Sequence, residues 1–458
     1  ERLTELKGCC GDRTRFEYTG NSTRYKSIIE QDGTTYDFSY DDRGNLLFVK
    51  RNGTVISALT YYPNGLLKTS RQEGAPEQTF TYYPGGRVKS QVDASGNTTA
   101  YAYDAYGNLI REVDAAGRTK TWTYDEGNQP VSFTDPSGAR TRYQYDPAGR
   151  LVKTTGPAKE TTQYRYDDRG NLASVTDPVG RTTLFRYDPM NRITSETDPA
   201  GHTYRYRYDA AGNPVETVQP LGGTLTREYN PLGWIIKETD ASGLQIQYEY
   251  TRAGLLSAVR NSLGQVVGHT YDPAGRLGTV TDSGGGRTSY DYDDRGRLIK
   301  ITNPDGSVHS YAYDAFGNLL RETDNRGGDV GYAYDAHGRL TTTKRAQGYE
   351  VRYHYDPLGR ILGWKDNFGG AASFQYNDQD LISAVRNAAG AATQYRYDPA
   401  GMPLAVIDPL GNTATMAYSA AGELIKATSA EKETTLYTYD QAENLTHIQH
   451  PGGGVTKL

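Results

Sequence analysis

Tyrosine recurs in this chain at a fixed interval of 21 residues, and that interval is an odd number. Residues 103, 124, 145, 166, 187, 208, 229, 250, 271, 292, 313, 334, 355, 376, 397, 418 and 439 are all tyrosine, and Tyr18, Tyr40, Tyr62 and Tyr83 continue the series upstream at spacings of 20 to 22. A period of this length marks a repeat architecture, in which each unit leans on its neighbours. The array divides into an irregularly spaced segment over residues 1–102 and a regular one over 103–458, read as one continuous array.

With each regular tyrosine called n, Asp stands at n+1 in 13 of the seventeen units, Gly at n+4 in 13, Leu or Ile at n+6 in 14, and an aromatic residue at n-2 in 14. The exceptions at n+4 are Asn128, Asn191, Asp380 and Glu443, three of them residue types that tolerate a left-handed backbone. The unit is an aromatic-x-Tyr-Asp-x-x-Gly-(Arg/Asn)-Leu motif, as in Tyr311 to Leu319. The residues assigned to it are Tyr103, Tyr145, Tyr166, Tyr208, Tyr271, Tyr292, Tyr313, Tyr334, Tyr355 and Tyr397, with Asp146, Asp272, Asp314 and Asp356, and Gly107, Gly149, Gly170, Gly212, Gly275, Gly317 and Gly359. Their expected role is structural.

A second Asp-x-x-Gly precedes many of the tyrosines by ten residues, for example Asp114 to Gly117 and Asp408 to Gly411. Asp first, often Pro second and Gly fourth is the signature of a type I turn closed by a left-handed residue. Between the turns, stretches such as Thr203 to Tyr208 alternate aromatic with charged residues, and no stretch holds a helical stripe. Each unit therefore contains two turns and two strands, and the fold class is all-β: a tandem antiparallel meander.

The odd period then poses a problem of parity. If the Asp-x-x-Gly turn pairs Tyr n with n+6, simple alternation carries the next tyrosine to the opposite face. A one-residue slip moves a whole strand's pattern to the other side. One register correction or bulged residue is expected in every unit, keeping the tyrosines on one face. About 42 strands at roughly 4.8 Å each make a strip about 200 Å long and about 25 Å wide. Accumulated twist forces such a strip to coil, into a spiral sheet or hollow shell. About 20 strands per coil would enclose a space about 30 Å across.

Composition agrees with a thin structure. Apolar residues are 36% of the chain, while Tyr occurs 39 times, and its ring with a polar tip suits a face that is only partly dry. The turn aspartates are expected to cap backbone N–H groups, which argues against paired catalytic carboxylates or a calcium site. The seven histidines fall at different places in the unit, and His447-x-x-His450 alone is too sparse for a metal. Cys9 and Cys10 are adjacent, lie outside the regular units and read as two free thiols. No catalytic residue, metal or cofactor is assigned. There is no run of 18 apolar residues and no signal-peptide pattern at Glu1, so the chain reads as an excised or processed fragment without a membrane span.

The tandem Tyr-Asp-x-x-Gly-(Arg/Asn)-Leu unit resembles the Rhs/YD-repeat family, which includes bacterial Rhs polymorphic toxins, the C component of insecticidal toxin complexes and the YD shells of teneurins. The resemblance implies a β-shell that encloses a toxin domain or other cargo polypeptide. Toxin-releasing members carry a core with self-cleaving aspartates after the repeats; Pro451 to Leu458 is still repeat-like and shows no such core.

The expected function is thus a non-catalytic shell of a secreted or cell-surface bacterial protein, partnered by a cargo polypeptide and by secretion or delivery machinery. The alternative is an extracellular adhesin or carbohydrate-binding module, since tyrosine and arginine faces stack on sugars. Nucleic acid is not an expected partner, because the net charge of -5 is spread along the chain with no basic stripe to release counterions. Titration with double-stranded DNA should show no salt-dependent binding; micromolar affinity that collapses between low and moderate salt would overturn this.

Overall fold

Among the described residues each strand pairs antiparallel with its neighbours in the chain, so that 44 strands form one sheet with no crossover. The computed structural model describes residues 2–7, 13–30, 33–73, 75, 77–93 and 95–458. Cys9 and Cys10 lie outside the described residues. Among the described residues the only helical turn is a 3₁₀ turn at Ala346–Gly348.

One regular unit illustrates the pattern. Strand Thr98–Tyr103 leads into a five-residue turn, strand Leu109–Val113 returns, and a second five-residue turn leads to strand Thr119–Tyr124. All the turns that follow a key tyrosine lie on one rim of the strip, here the tyrosine rim. The others form the return rim.

The register contains the expected correction. Tyr103 pairs with Leu109 and Ala102 with Arg111, so Ile110 is an extra residue on the returning strand. The second hairpin has no such shift, and Val113 faces Thr119. The same shift recurs beside Tyr166, Tyr208, Tyr313 and Tyr397. Parity is thereby restored once per unit, and the key tyrosines stay on one face.

The upstream series needs a correction. Tyr61 and Tyr82, not Tyr62 and Tyr83, occupy the key position, pairing with Leu67 and Val88. Tyr62 and Tyr83 stand in the first place of the turn, where later units have Asp, and their N–H groups close it onto Leu66 and Arg87. A doubled tyrosine hides which of the two is n.

There is no thick core. Among the described residues, the only buried hydrophobic ones are Val351 and Ala405, and no large side chain is fully buried. The accessible surface is 27300 Å², against about 17,000 Å² for a compact monomer of this mass. That excess is what a single curved layer exposes.

The strip closes on itself through its rims. The turn after the seventeenth strand, Leu172–Thr176, meets the turn after the fortieth, Thr413–Tyr418, through Arg181 and Glu423. The turn after the eleventh, Leu109–Val113, meets the turn after the thirty-sixth, Ala371–Tyr376, through Arg118 and Asp380. One coil therefore takes about 24 strands, with a circumference of about 115 Å and a diameter of about 37 Å.

Gly317 and Gly359 have φ of 92° and 84°. Nothing lies within 4 Å of a Cβ added at Gly317, so a substitution there meets only the backbone penalty. Gly317→Val should destabilise the local hairpin by about 1 kcal/mol or more, and Gly317→Asn by clearly less, as read by hydrogen exchange of residues 314–318. Equal exchange in the two variants would remove the conformational explanation.

Candidate functional site

The constellation that recurs through the array is the tyrosine turn itself, and its geometry begins with the bulge. A bulge disrupts the ladder beside n+6, and a carbonyl there needs a donor. The hydroxyl of the next key tyrosine supplies one: Tyr313 donates to the carbonyl of Leu298 at 2.8 Å, Tyr166 to Leu151 at 2.8 Å and Tyr355 to Leu340 at 2.7 Å. Tyr145, Tyr208, Tyr271, Tyr292 and Tyr397 do the same to Pro130, Ile193, Leu256, Leu277 and Ile382. Tyr103 and Tyr334 share the pairing register. Burial pushes the phenols of Tyr313, Tyr355 and Tyr397 up, which keeps them protonated as donors.

The aspartate at n+1 accepts several donors within its own turn. The Oδ1 of Asp314 accepts from the N–H groups of Phe316 and Asn318 at 2.8 and 2.9 Å, and its Oδ2 accepts from the Asn318 amide at 2.9 Å. Asp146, Asp272 and Asp356 accept in the same way from Arg150, Arg276 and Arg360. The backbone N–H of Arg150, and then its guanidinium, hold the Asp146 carboxyl below the usual range. At Asp272 and Asp314 burial pushes the carboxyl up, and hydrogen bonds from Arg276 and Asn318 outweigh it. With three of about four lone-pair positions taken inside its own turn, the Asp314 carboxylate is held as a cap of that turn.

The glycines hold the turn open to these bonds. Gly107, Gly149, Gly170, Gly212, Gly275, Gly317 and Gly359 have φ between 77° and 100°, and Asn128, Asn191, Asp380 and Glu443 stand at 62°, 62°, 64° and 69° in the same place.

The arginine at n+5 is the part that sequence reasoning undervalued. Arg297 donates to Asp293 of its own turn at 2.7 Å, lies 4.9 Å above the ring of Tyr313 in the next unit, and donates to the Asp314 carbonyl at 2.7 Å. Arg276 and Arg339 repeat the arrangement. One side chain thus ties two consecutive turns together, combining an ion pair with a cation–π contact. The signal was present in the motif as the alternation of Arg and Asn at n+5. Where Asn stands, as at Asn171, its amide reaches Asn191 of the next turn at 2.9 Å.

Among the described residues no group of three or more His, Cys, Asp or Glu side chains could hold a metal. His447 and His450 bond separately to Thr446 and Thr456. One hollow of about 600 Å³ is a gap between coils lined by Arg71, Phe316, Tyr332 and Tyr334, and its carboxylates Asp314 and Asp335 are bound in their turns. No helix among the described residues is long and apolar enough to cross a membrane.

Comparison with known proteins places this geometry. The Teneurin YD-shell model matches residues 223–412, and the RHS Repeat model matches residues 82–119, 103–132, 124–161, 166–203, 191–224 and 418–455. Among solved structures, the crystal structure of TcdB2-TccC3-TEV superposes with a TM-score of 0.71 at 14% identity, over 98% of this chain and 34% of that one. The Photorhabdus luminescens Tc holotoxin pore gives 0.62 at 14% identity, over 96% of this chain and 30% of that one. TcdB2-TccC3 gives 0.60 at 15% identity, over 99% and 32%. The chain spans about a third of the length of these structures. No curated protein matches the sequence.

The lowered carboxyls make the turns acid-sensitive. A folded pKa below the unfolded value of about 3.9 adds stability that is complete above that value and is lost as pH falls through the folded pKa. Near-ultraviolet circular dichroism of the tyrosines should hold from pH 7 to about 4 and decay only below it. Decay already between pH 6 and 5 would rule out the turn carboxylates as its cause.

Proposed function

Because the chain belongs to the Rhs/YD-repeat family, we propose that it is the shell portion of a secreted bacterial protein, a non-catalytic scaffold that encapsulates a toxin or other cargo polypeptide. The observation that carries this reading is the closure of a one-layer strip, rim on rim, about 24 strands after it starts. A coil about 37 Å across leaves a lumen, and a wall with so little buried surface has no obvious purpose except to divide inside from outside. The neighbours in the solved structures support the toxin reading, one of them being a toxin pore complex by its own description. The turn aspartates, engaged as caps of their own turns, support a scaffold without chemistry of its own. The repeat residues, from Tyr103 to Tyr397 with their turn aspartates and glycines, hold the wall together in this reading.

Exposed aromatic tips favour a second reading as a glycan-contacting surface module. Tyr106 and Phe368 are 81% and 75% exposed at turn tips. Expressed with the coding sequence that flanks it, the chain should shield the flanking polypeptide from protease until the shell is denatured. Immediate digestion of that polypeptide, together with saturable binding on a glycan array, would replace the shell by the surface module.

A further inference from the structure

The two acidic exceptions at n+4 lie where the second coil meets the first. Asp380 and Glu443 keep the left-handed backbone, φ 64° and 69°, that a residue with a Cβ adopts reluctantly. Each reaches across the seam to an arginine of the return rim: Asp380 to Arg118, and Glu443 to Arg181 at 3.3 Å. Those arginines are exceptions too, since among the seventeen regular units Arg stands at n+15 only at positions 118 and 181.

The pairs keep one register. Arg118 and Asp380 are 262 residues apart, and Arg181 and Glu443 share that offset, each partner lying three units beyond its counterpart. Each pair is embedded in further charges. Asp380 also binds Arg360 at 2.6 Å, and Arg118 binds Asp114 at 2.8 Å. Arg181, only 10% exposed, binds Asp177 at 2.6 Å and Glu423 at 2.5 Å. The other two asparagine exceptions, Asn128 and Asn191, instead bond along their own rim to Asn108 and Asn171.

We infer that Asp380 and Glu443, with Arg118 and Arg181, form an ionic latch that sets how many repeats make one coil. Arg295 with Glu73 and Ser95 with His337 are further polar contacts between coils. Both rims otherwise present turns of one backbone form, so shape alone does not choose among slips of one repeat. Charge does. A slip of one unit sets Asp380 opposite Ala139 or Asn97, and Glu443 opposite His202 or Glu160. Either slip takes Asp380 away from an arginine, and one of them opposes the carboxylates of Glu443 and Glu160. The inference stands whether or not the lumen holds cargo.

The test exploits the fact that glycine is the ordinary occupant of n+4. A variant carrying Asp380→Gly, Glu423→Gln and Glu443→Gly loses the acids while giving two turns a better backbone residue. Hydrogen exchange at return turns 114–118 and 177–181, more than 200 residues away in sequence, should quicken roughly tenfold or more. Exchange at 282–286, outside the seam, should not change. Arg118→Gln with Arg181→Gln should reproduce the effect, and combining both sets should add little. Raising salt from 0.1 to 1 M should quicken the same turns in the natural sequence only. Unchanged exchange at 114–118 and 177–181 in both variants would overturn the latch, leaving the acids as turn residues alone.

Discussion

The structure depends on reconciling an odd repeat with an alternating strand. A strand has period two, so 21 residues cannot return a side chain to the same face unless one residue per unit is taken out of the count. The bulge after n+6 does this, at Ile110 and its equivalents, and the cost is an interrupted ladder. The tyrosine hydroxyl answers that cost by donating to the carbonyl at n+6 of the preceding unit. Tyrosine suits n because its half-buried ring ends in a hydroxyl donor that reaches this carbonyl. The period, the bulge and the residue type are one constraint seen three times.

A one-layer sheet must find its stability sideways. With Val351 and Ala405 as its buried hydrophobic residues among those described, it cannot draw on a core, and each unit leans only on its neighbours. Lateral ties are therefore dense at the rims. Asp at n+1 organises its own turn, Arg at n+5 binds that Asp and covers the next tyrosine, and the tyrosine binds back to the bulge. Cross-strand hydroxyl pairs such as Thr81 with Ser90 and Thr270 with Thr279 add to the opposite face. Each tie is worth little alone, but every unit has all of them.

How much of this was legible in the sequence depends on whether the interaction lies within one period. The two turns, the hairpins and the need for a bulge follow from local chemistry and arithmetic, and Tyr103 facing Leu109 was readable before any coordinates. Tyr62 was misplaced by one residue because Tyr61 beside it satisfies the same pattern. The number of strands per coil was out of reach, since twist per strand is a small angle summed over many strands. Yet the four residues that break the rule at n+4 were visible, and two of them mark the seam. Reading them as tolerated substitutes for glycine explained their backbone and missed their side chains.

The seam is made of turns, and this determines what can hold it. Turn backbones have already bonded internally: Gly317 donates to Asp314, and Asp314 closes onto Asn318. Two rims brought together therefore have few main-chain donors or acceptors left to exchange, unlike two strand edges, which would zip without limit. Only side chains projecting from the tips remain, and over most of the rim these are Ala, Pro, Leu or Gly. Contact between coils is consequently weak and unspecific except where charges have been placed. A wall built this way keeps strong, permanent ladders around its circumference and weak, adjustable joints along its axis. If such a shell must ever open, the rims are where it will part, and the ladders need not break.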